Sequence, residues 1–584
     1  MFPRFLVFPL AALFLASCST PAPVKTTKLP RENYAYAQRY LTWLIENEMT
    51  ANKVTGLSIA LVDDQKLVWS SGFGYSDAKN KVPATPRTAY RMGSIAKIFT
   101  ATAAMQMAER GQMDIDQPLS RYLPEFSIKS RFQNAGPITP RNIMSHHSGL
   151  PSNFLRGMLR DNPAYFTTLV NDVRDEYVSY PPNYVFAYSN LGVTLLGAAI
   201  ERTSGQDFNQ HIKHFLFEPL GMRDSYFSSQ PQIKGYSDGE VSEFLPLRDL
   251  PSGGLVSNVE DLSSFMKMVF AGGHTGNRQI LKPEALAEML RPQNAQVPLD
   301  INMRMGLGWM LERSEIKGGG DVASHGGSLL NFHSVISIMP GHKLGVVVAA
   351  NSASSHGVVN KVAAEALKLL LEAKTGITQP ENSLADTSGF ATARPIKTGY
   401  FDTVVGLVKV DSQFGDLNAE LMGYSFQLAP RNNGWFGVKY NLLGMIPVSF
   451  NPLDNIRLAM TRIGDHDVLI GNMGRETTLM GEKLAPSSTP EILSEYVGNY
   501  ELVNQGIGVS PTSLALRYEE GMFIAECAFA QFPDIVFRVA ITPISETEAL
   551  ISGLGTSRGE TIRLYKNNTE KHMVFSGLDM RKIN

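Results

Sequence analysis

Ser94 and Lys97 stand three residues apart in Arg91-Met92-Gly93-Ser94-Ile95-Ala96-Lys97-Ile98-Phe99-Thr100, at the head of a run of helix formers that ends near Arg110-Gly111. Positions three apart share one helix face, which brings the lysine amine to the serine hydroxyl. A serine hydroxyl is a weak nucleophile until a neighbouring base takes its proton. At a helix start it also lies among unpaired backbone N–H groups, where negative charge is favoured. The arrangement suits acyl transfer. Ser264 and Lys267 repeat the same spacing, so context has to choose between the two pairs.

The elements that must position these residues follow from periodicity. Tyr34 to Met49 has helical spacing in Tyr36, Tyr40, Trp43 and Leu44. Gly56 to Val62 and Lys66 to Gly72 are β-rich runs around the polar turn Asp63-Asp64-Gln65, which predicts a hairpin. The helix after Ser94 is apolar on nearly every side, as a buried central helix requires, and Gly111 suits its stop. Residues 112 to 250 are rich in Pro, Gly and short helical pieces and predict a mainly helical inserted lobe. Strands return at His333–Met339 and Leu344–Asn351, and a last amphipathic helix carries Val359, Val362, Ala363, Ala366 and Leu370 on one stripe. The fold class expected is α/β (α+β), an antiparallel sheet flanked by helices with an inserted helical lobe, followed by an all-β region.

That β region comprises strand-like segments at Val404–Val410, Leu417–Leu428, Trp435–Lys439, Arg457–Arg462 and Asp467–Ile470. A second set covers Tyr496–Leu502, Ser513–Tyr518, Met522–Cys527, Val536–Thr542, Ala549–Ile551 and Thr561–Tyr565. The spacing predicts an antiparallel β-barrel region, either one barrel or two repeats at 396–485 and 490–584. A linker at 377–395 separates it from a domain at 34–376.

At 584 residues the chain exceeds one ordinary core, and 43% hydrophobic with 18% charged residues describes a globular protein. A net charge of −2 with no long basic run argues against a nucleic-acid partner. The two cysteines, Cys18 and Cys527, read differently. Phe2 to Ala16 is a short apolar run behind Arg4, and Leu15-Ala16-Ser17-Cys18 resembles a bacterial lipobox. The expectation is a signal peptide at 1–17, lipidation of Cys18, and a tether at 18–33. Cys527 is then left alone, so no disulfide is expected despite export. Ser19 stands where enteric lipoproteins kept at the inner membrane have an aspartate, so by that resemblance the expected location is the outer membrane, facing the periplasm.

Three motifs occur in a fixed order: Ser94-Ile-Ala-Lys97, Tyr188-Ser189-Asn190 and His325-Gly326-Gly327. The set resembles the penicillin-recognising serine hydrolases, in the branch of class C β-lactamases, D-aminopeptidases, D,D-carboxypeptidases and esterases. Met144-Ser-His-His-Ser-Gly-Leu-Pro151, Pro181-Pro-Asn-Tyr-Val-Phe-Ala-Tyr-Ser-Asn-Leu-Gly192, Gly253-Gly254-Leu-Val-Ser-Asn-Val-Glu-Asp-Leu262 and Met305-Gly-Leu-Gly-Trp309 also look like segments of that family. The resemblance covers roughly residues 34 to 375, and the C-terminal region looks lipocalin-like. It implies that Ser94 forms an acyl-enzyme while Lys97 and Tyr188 share the proton transfers, with either as the acylation base. To act as base Lys97 needs a pKa lowered by crowding or burial, and a phenol near a cation ionises more easily. Asn190 would donate to the substrate's amide, with His325 and Gly327 lining the site. By resemblance, the backbone N–H groups of Ser94 and Ser328 form the oxyanion hole.

Family order removes the competing patterns. Ser264–Lys267 has no matching partners downstream. Tyr565-Lys566-Asn567 lies in the β-rich tail, and His147–Gly149 and His274–Gly276 lie in loops. Lys397-Thr398-Gly399 imitates the third motif of class C β-lactamases but comes after the linker. His211 and His214 have helical spacing without a third ligand, which reads as a surface helix rather than a metal site. His146-His147 belongs to loop scaffold near the site. No cofactor or metal is expected.

Where β-lactamases carry a lysine cation for the substrate carboxylate, this chain has His325, mostly neutral at pH 7 near its usual pKa. Weight therefore moves towards D-amino-acid-containing peptides or small esters. A weak β-lactamase or D,D-carboxypeptidase is the alternative. A penicillin-binding sensor or ligand-binding envelope lipoprotein with little turnover is the rival from another class.

Overall fold

The computed structural model describes residues 21–25, 31–242, 245–313, 316–379, 393–413, 415–442, 446–448, 456–472, 476–487, 490–504, 511–529 and 532–583. The segment expected to be a signal peptide, Cys18 and most of the expected linker lie outside the described residues.

Helix α1 (Ala35–Ala51) precedes the hairpin of β1 (Gly56–Asp63) and β2 (Lys66–Asp77). Short strands β3 (Val82–Pro83) and β4 (Tyr90–Gly93) lead to α2 (Ala96–Glu109). After a stretch of short helices come α3 (Asn190–Ser204), α4 (Leu250–Gly253), β5 (Leu255–Ser257) and α5 (Val259–Phe270). Strands β6 (Arg304–Met305), β7 (Met310–Arg313), β8 (Asp321–Leu329), β9 (Phe332–Met339) and β10 (Leu344–Ala350) precede α6 (His356–Thr375). They form an eight-stranded sheet in the order β6-β7-β8-β9-β10-β1-β2-β3. The two ends of this part of the chain meet at its centre, where Leu57 on β1 lies opposite Ala350 on β10.

Both faces of that sheet are covered. Ala60, Val62, Ile336 and Val347 join a core with residues of α2 and α5, while Leu57, Ile59, Leu61 and Val335 join a second core with α1 and α6. Alternate residues of a strand point to opposite faces, so each strand feeds both cores. This is why β10, at the centre of the sheet, reads as an unbroken apolar run.

The β region forms two closed barrels rather than one. The first comprises β11 (Gly399–Thr403), β12 (Gly406–Gln413), β13 (Asp416–Leu421), β14 (Tyr424–Pro430), β15 (Phe436–Leu442), β16 (Arg457–Ile463), β17 (His466–Asn472) and β18 (Thr478–Lys483). Its ring closes through the β14–β15 and β11–β18 pairings. The single segment read over Leu417–Leu428 is corrected to the β13–β14 hairpin. Met422 and Gly423 turn it with φ of 51° and 81°.

Helix α7 (Pro490–Ser494) introduces the second barrel, of β19 (Gly498–Leu502), β20 (Pro511–Glu519), β21 (Met522–Phe529), β22 (Phe532–Ser545), β23 (Glu548–Ile551), β24 (Thr561–Asn567), β25 (Glu570–Phe575) and β26 (Leu578–Lys582). It closes through β19 and β26. Strands β18, β25 and β26 fall outside the segments that alternation picks out, because charged residues interrupt their apolar pattern.

Candidate active site

Four local features bring the motifs together. Ser94 sits between β4 and the first turn of α2, which carries Lys97. Tyr188 and Asn190 flank Ser189, the N-cap of α3, whose hydroxyl accepts from the Gly192 N–H at 2.8 Å. Helix α4 supplies the Ser252 carbonyl. His325 to Ser328 lie on β8 beyond Ser324, the last residue that pairs with β7. That stretch of β8 packs against β4 instead. A Cβ on Gly327 would lie 2.0 Å from Met92 O, and one on Gly93 would lie 2.8 Å from Ser328 N. The close approach puts the Ser328 N–H beside the nucleophile's own backbone.

Lys97 is 1% exposed. Its Nζ meets Asn190 Oδ1 and Ser252 O, each at 2.7 Å, and Ser94 Oγ at 3.2 Å. Burial pulls its pKa down to about 7, against the attraction of Asp249. A neutral amine has two N–H donors and one lone pair. The two carbonyl oxygens engage the donors, which leaves the lone pair for the Ser94 proton.

The Tyr188 ring centroid lies 4.8 Å from Lys97 Nζ, and its hydroxyl hydrogen-bonds with Ser94. Crowding raises the phenol's pKa above its usual value despite that bond. The expectation that a nearby cation eases its ionisation is therefore corrected: desolvation dominates, against only the bond with Ser94. Asn190 is largely engaged, with Oδ1 on Lys97 and Nδ2 donating to Asn153 Oδ1 at 2.9 Å. One amide N–H remains for a substrate.

His325 is buried, with Nδ1 2.7 Å from Gly326 O. A carbonyl can only accept, so Nδ1 carries the proton and Nε2 presents a lone pair. Nε2 has no hydrogen-bond partner among the described residues. Burial first, then Lys97, lowers the His325 pKa to about 4, against the Gly326 bond. The partial charge expected of this histidine gives way to a neutral acceptor.

His146, with φ of 60°, accepts from the Ser189 N–H at 3.2 Å, and its ring centroid lies 4.1 Å from that of Tyr188. His147 Nε2 lies 2.7 Å from Asp300 Oδ2. Both histidines are buried supports of the tyrosine segment.

The competing patterns fall elsewhere. Ser264 and Lys267 are on α5, packed against β1, β2 and β10. Lys397-Thr398-Gly399 opens β11, and Tyr565 on β24 bonds to Asp579. His211 is buried against Phe215 while His214 is exposed near Glu218.

Sequence reasoning missed the contribution of the second barrel. The segment Ser552 to Glu560, between β23 and β24, lies along the Tyr188 side of the site. Thr556 Oγ1 accepts from the Tyr188 N–H at 3.0 Å, and Ser557 N donates to Ser152 Oγ at 2.8 Å. Glu560 accepts from the Ser152 N–H at 2.9 Å, and Tyr180 Oη donates to Gly553 O at 3.0 Å. Arg558 anchors the segment to the first barrel through the Asp402 carboxylate and the Thr403 carbonyl. Its glycine-rich composition signals only a turn. Asn153, Asp249 and Ser252 also escaped notice, because their types are ordinary and only packing aims them at Lys97 and Asn190.

The Beta-lactamase family model matches residues 41–370. Protein flp of Staphylococcus aureus (strain MW2) is 26% identical over 339 residues, covering 55% of this chain and 64% of that relative. The match thus spans less than two thirds of the curated relative's length. Two solved structures share the fold at 22% identity. SurE, solved with D-Leu, has a TM-score of 0.54 and covers 76% of this chain and 98% of its own. An octameric penicillin-binding protein homologue from Pyrococcus abyssi has a TM-score of 0.50 and covers 93% of this chain and 99% of its own.

Proposed function

The chain belongs to the Beta-lactamase family, and on that premise we propose that it hydrolyses amides or esters through an acyl-enzyme on Ser94, with Lys97 as the acylation base. The observation that carries this reading is the Lys97 amine, buried, shifted to about 7, and held by two carbonyl acceptors with its third direction towards Ser94 Oγ. Ser94 Oγ attacks the carbonyl carbon as its proton passes to Lys97 Nζ. The oxyanion forms beside the N–H groups of Ser94 and Ser328. The carbon–nitrogen or carbon–oxygen bond then breaks, and the leaving group takes a proton from the Lys97–Tyr188 pair. Water attacks the acyl-enzyme and returns Ser94 to its hydroxyl form.

The substrates proposed are D-amino-acid-containing peptides or small esters. A neutral His325 with a free lone pair recognises a donor rather than a carboxylate, which disfavours β-lactams. A structure of the same fold described with D-Leu is in line with this class. The protein acts from a lipid on Cys18, at the outer membrane facing the periplasm. Radiolabelled palmitate incorporation lost in Cys18→Ser tests that placement.

A fluorescent phosphonate tests the nucleophile. Labelling is expected in the unmutated and Ser264→Ala proteins and absent in Ser94→Ala. Turnover of D-aminoacyl anilides or short-chain esters above that of a chromogenic cephalosporin supports the substrate class, and the reverse order rejects it.

A further inference from the structure

The stretch of β8 that carries Ser328 has a strand neighbour on one edge only. Beyond Ser324 it no longer pairs with β7, and it runs into the turn at Leu330, whose φ is 50°. Strand ends of this kind open first. A donor to the reacting oxygen has to keep its place to within about 0.5 Å, so the free end of β8 needs a further restraint. Two consecutive residues of β9, His333 and Ser334, supply restraints on both sides of the site, because neighbours on a strand point to opposite faces.

His333 lies directly opposite Ser328, and its Nδ1 is 3.1 Å from Ser328 Oγ. Its Nε2 is 3.0 Å from Ala353 O. A carbonyl only accepts, so Nε2 carries the ring proton and Nδ1 receives the serine hydroxyl. The ring is buried and meets the His356 ring edge-on at 5.3 Å. Ala353 follows Ser352, which is buried and accepts from the Thr55 N–H at 2.8 Å, so the anchor is rigid. Ser328 itself is exposed, and without His333 its hydroxyl would turn freely in water. On the opposite face of β9 the buried Ser334 donates to Met92 O at 3.0 Å, two residues before the nucleophile.

We propose that His333 and Ser334 are positioning residues that set the gap between the two oxyanion donors, His333 through the Ser328 side chain and Ser334 through the Met92 carbonyl. This assignment rests on the acyl-enzyme reading above, with the N–H groups of Ser94 and Ser328 as the donors. One strand then fixes both sides of the gap, since β9 grips β8 from one face and β4 from the other. Both residues act through others. Their contribution is preorganisation, which lowers the barrier without adding affinity for the ground state.

Steady-state turnover of a short-chain ester, with the phosphonate labelling rate beside it, tests the assignment in the full chain. Ser328→Ala keeps the backbone N–H and deletes only the exposed hydroxyl, while His333→Phe deletes its acceptor. Each should lower kcat and the labelling rate about fivefold with KM unchanged, the size of one lost hydrogen bond. Ser328→Ala combined with His333→Phe should fall no further than the slower single variant, because both remove the same bond. His333→Asn, whose Oδ1 takes the Nδ1 position, should recover most of the rate. Ser334→Ala should slow labelling about fivefold, and its loss should multiply with that of His333→Phe. Unchanged kcat in Ser328→Ala, multiplying losses in its combination with His333→Phe, or a raised KM at constant kcat overturns the proposal. So does a folded His333→Asn as slow as His333→Phe, or unchanged labelling in Ser334→Ala. Should the His333 variants unfold, Ser328→Ala decides: a lower kcat supports the role and an unchanged one rejects it. Failure of the hydrolase reading would look different, as absent labelling of the unmutated chain.

Discussion

The Tyr188 backbone N–H donates to Thr556 Oγ1 across 3.0 Å, joining a motif residue of the hydrolase to the far C-terminal barrel. Thr556 is exposed, so water competes for that N–H and the bond is worth ~1 kcal/mol net. Thr556→Val keeps the shape and removes the acceptor. It is expected to lower kcat/KM about fivefold, and Thr556→Ser should restore it. Steady-state kinetics on the best substrate checks this, and unchanged values for Thr556→Val would reduce the segment to a passive cover.

Glu560 makes the same junction depend on pH. Burial raises its pKa to about 6, against the bonds from Ser152. A carboxyl whose folded pKa exceeds its unfolded value binds more protons when folded. Its contribution is therefore fully present below about 4.5 and lost as pH rises through about 6. The shift corresponds to ~2 kcal/mol. Glu560→Gln keeps an oxygen for the Ser152 N–H without the charge. Denaturant titrations should show the unmutated protein losing stability relative to Glu560→Gln between those two values. A constant difference would mean that Glu560 titrates normally.

The sheet, its central helix and the three motifs were legible because each rests on local pattern: β-rich runs in β9 and β10, an α2 apolar on nearly every side, and fixed motif order. The number of barrels was not, since a strand pair such as β13 and β14 shows one alternating run and only the turn at Met422-Gly423 divides it. Ionisation at the site was also beyond the sequence. Whether Tyr188 loses or keeps its proton depends on how tightly surrounding chains exclude water, and His325 becomes neutral for the same reason. Contacts such as Ser152 with Glu560, 408 residues apart, have no local signature at all.

Gly327 is fixed by sterics rather than by turn geometry. A methyl there meets Met92 O at 2.0 Å and Ser334 Oγ at 2.4 Å, so Gly327→Ala must push β8 away from β4. Overpacking of this kind costs ~1–3 kcal/mol. The same displacement separates the N–H groups of Ser94 and Ser328. Both a lower melting temperature and a phosphonate labelling rate reduced by more than tenfold are expected. A normal labelling rate would show that Ser328 is not an oxyanion donor.

The Lys97 and Tyr188 shifts separate two candidate bases by pH. With Lys97 at about 7, acylation should rise as pH passes through about 7 and then level off, because the raised Tyr188 phenol stays protonated well into alkaline pH. A Tyr188 phenolate base would instead show its rise only at strongly alkaline pH. Lys97→Arg places a cation that cannot deprotonate at the same position. Loss of a general base costs ~10²–10⁴-fold, so this variant should acylate that much more slowly at pH 8 and lose the inflection near 7. Stability carries the opposite bookkeeping for the same group. The unfolded lysine binds its proton up to about 10.5 and the folded one only to about 7, so the protein gains stability from this residue as pH rises between those values. Stopped-flow labelling and denaturant titrations across that range read the two effects, and an acylation profile that stays flat through neutral pH would remove Lys97 from the role of base.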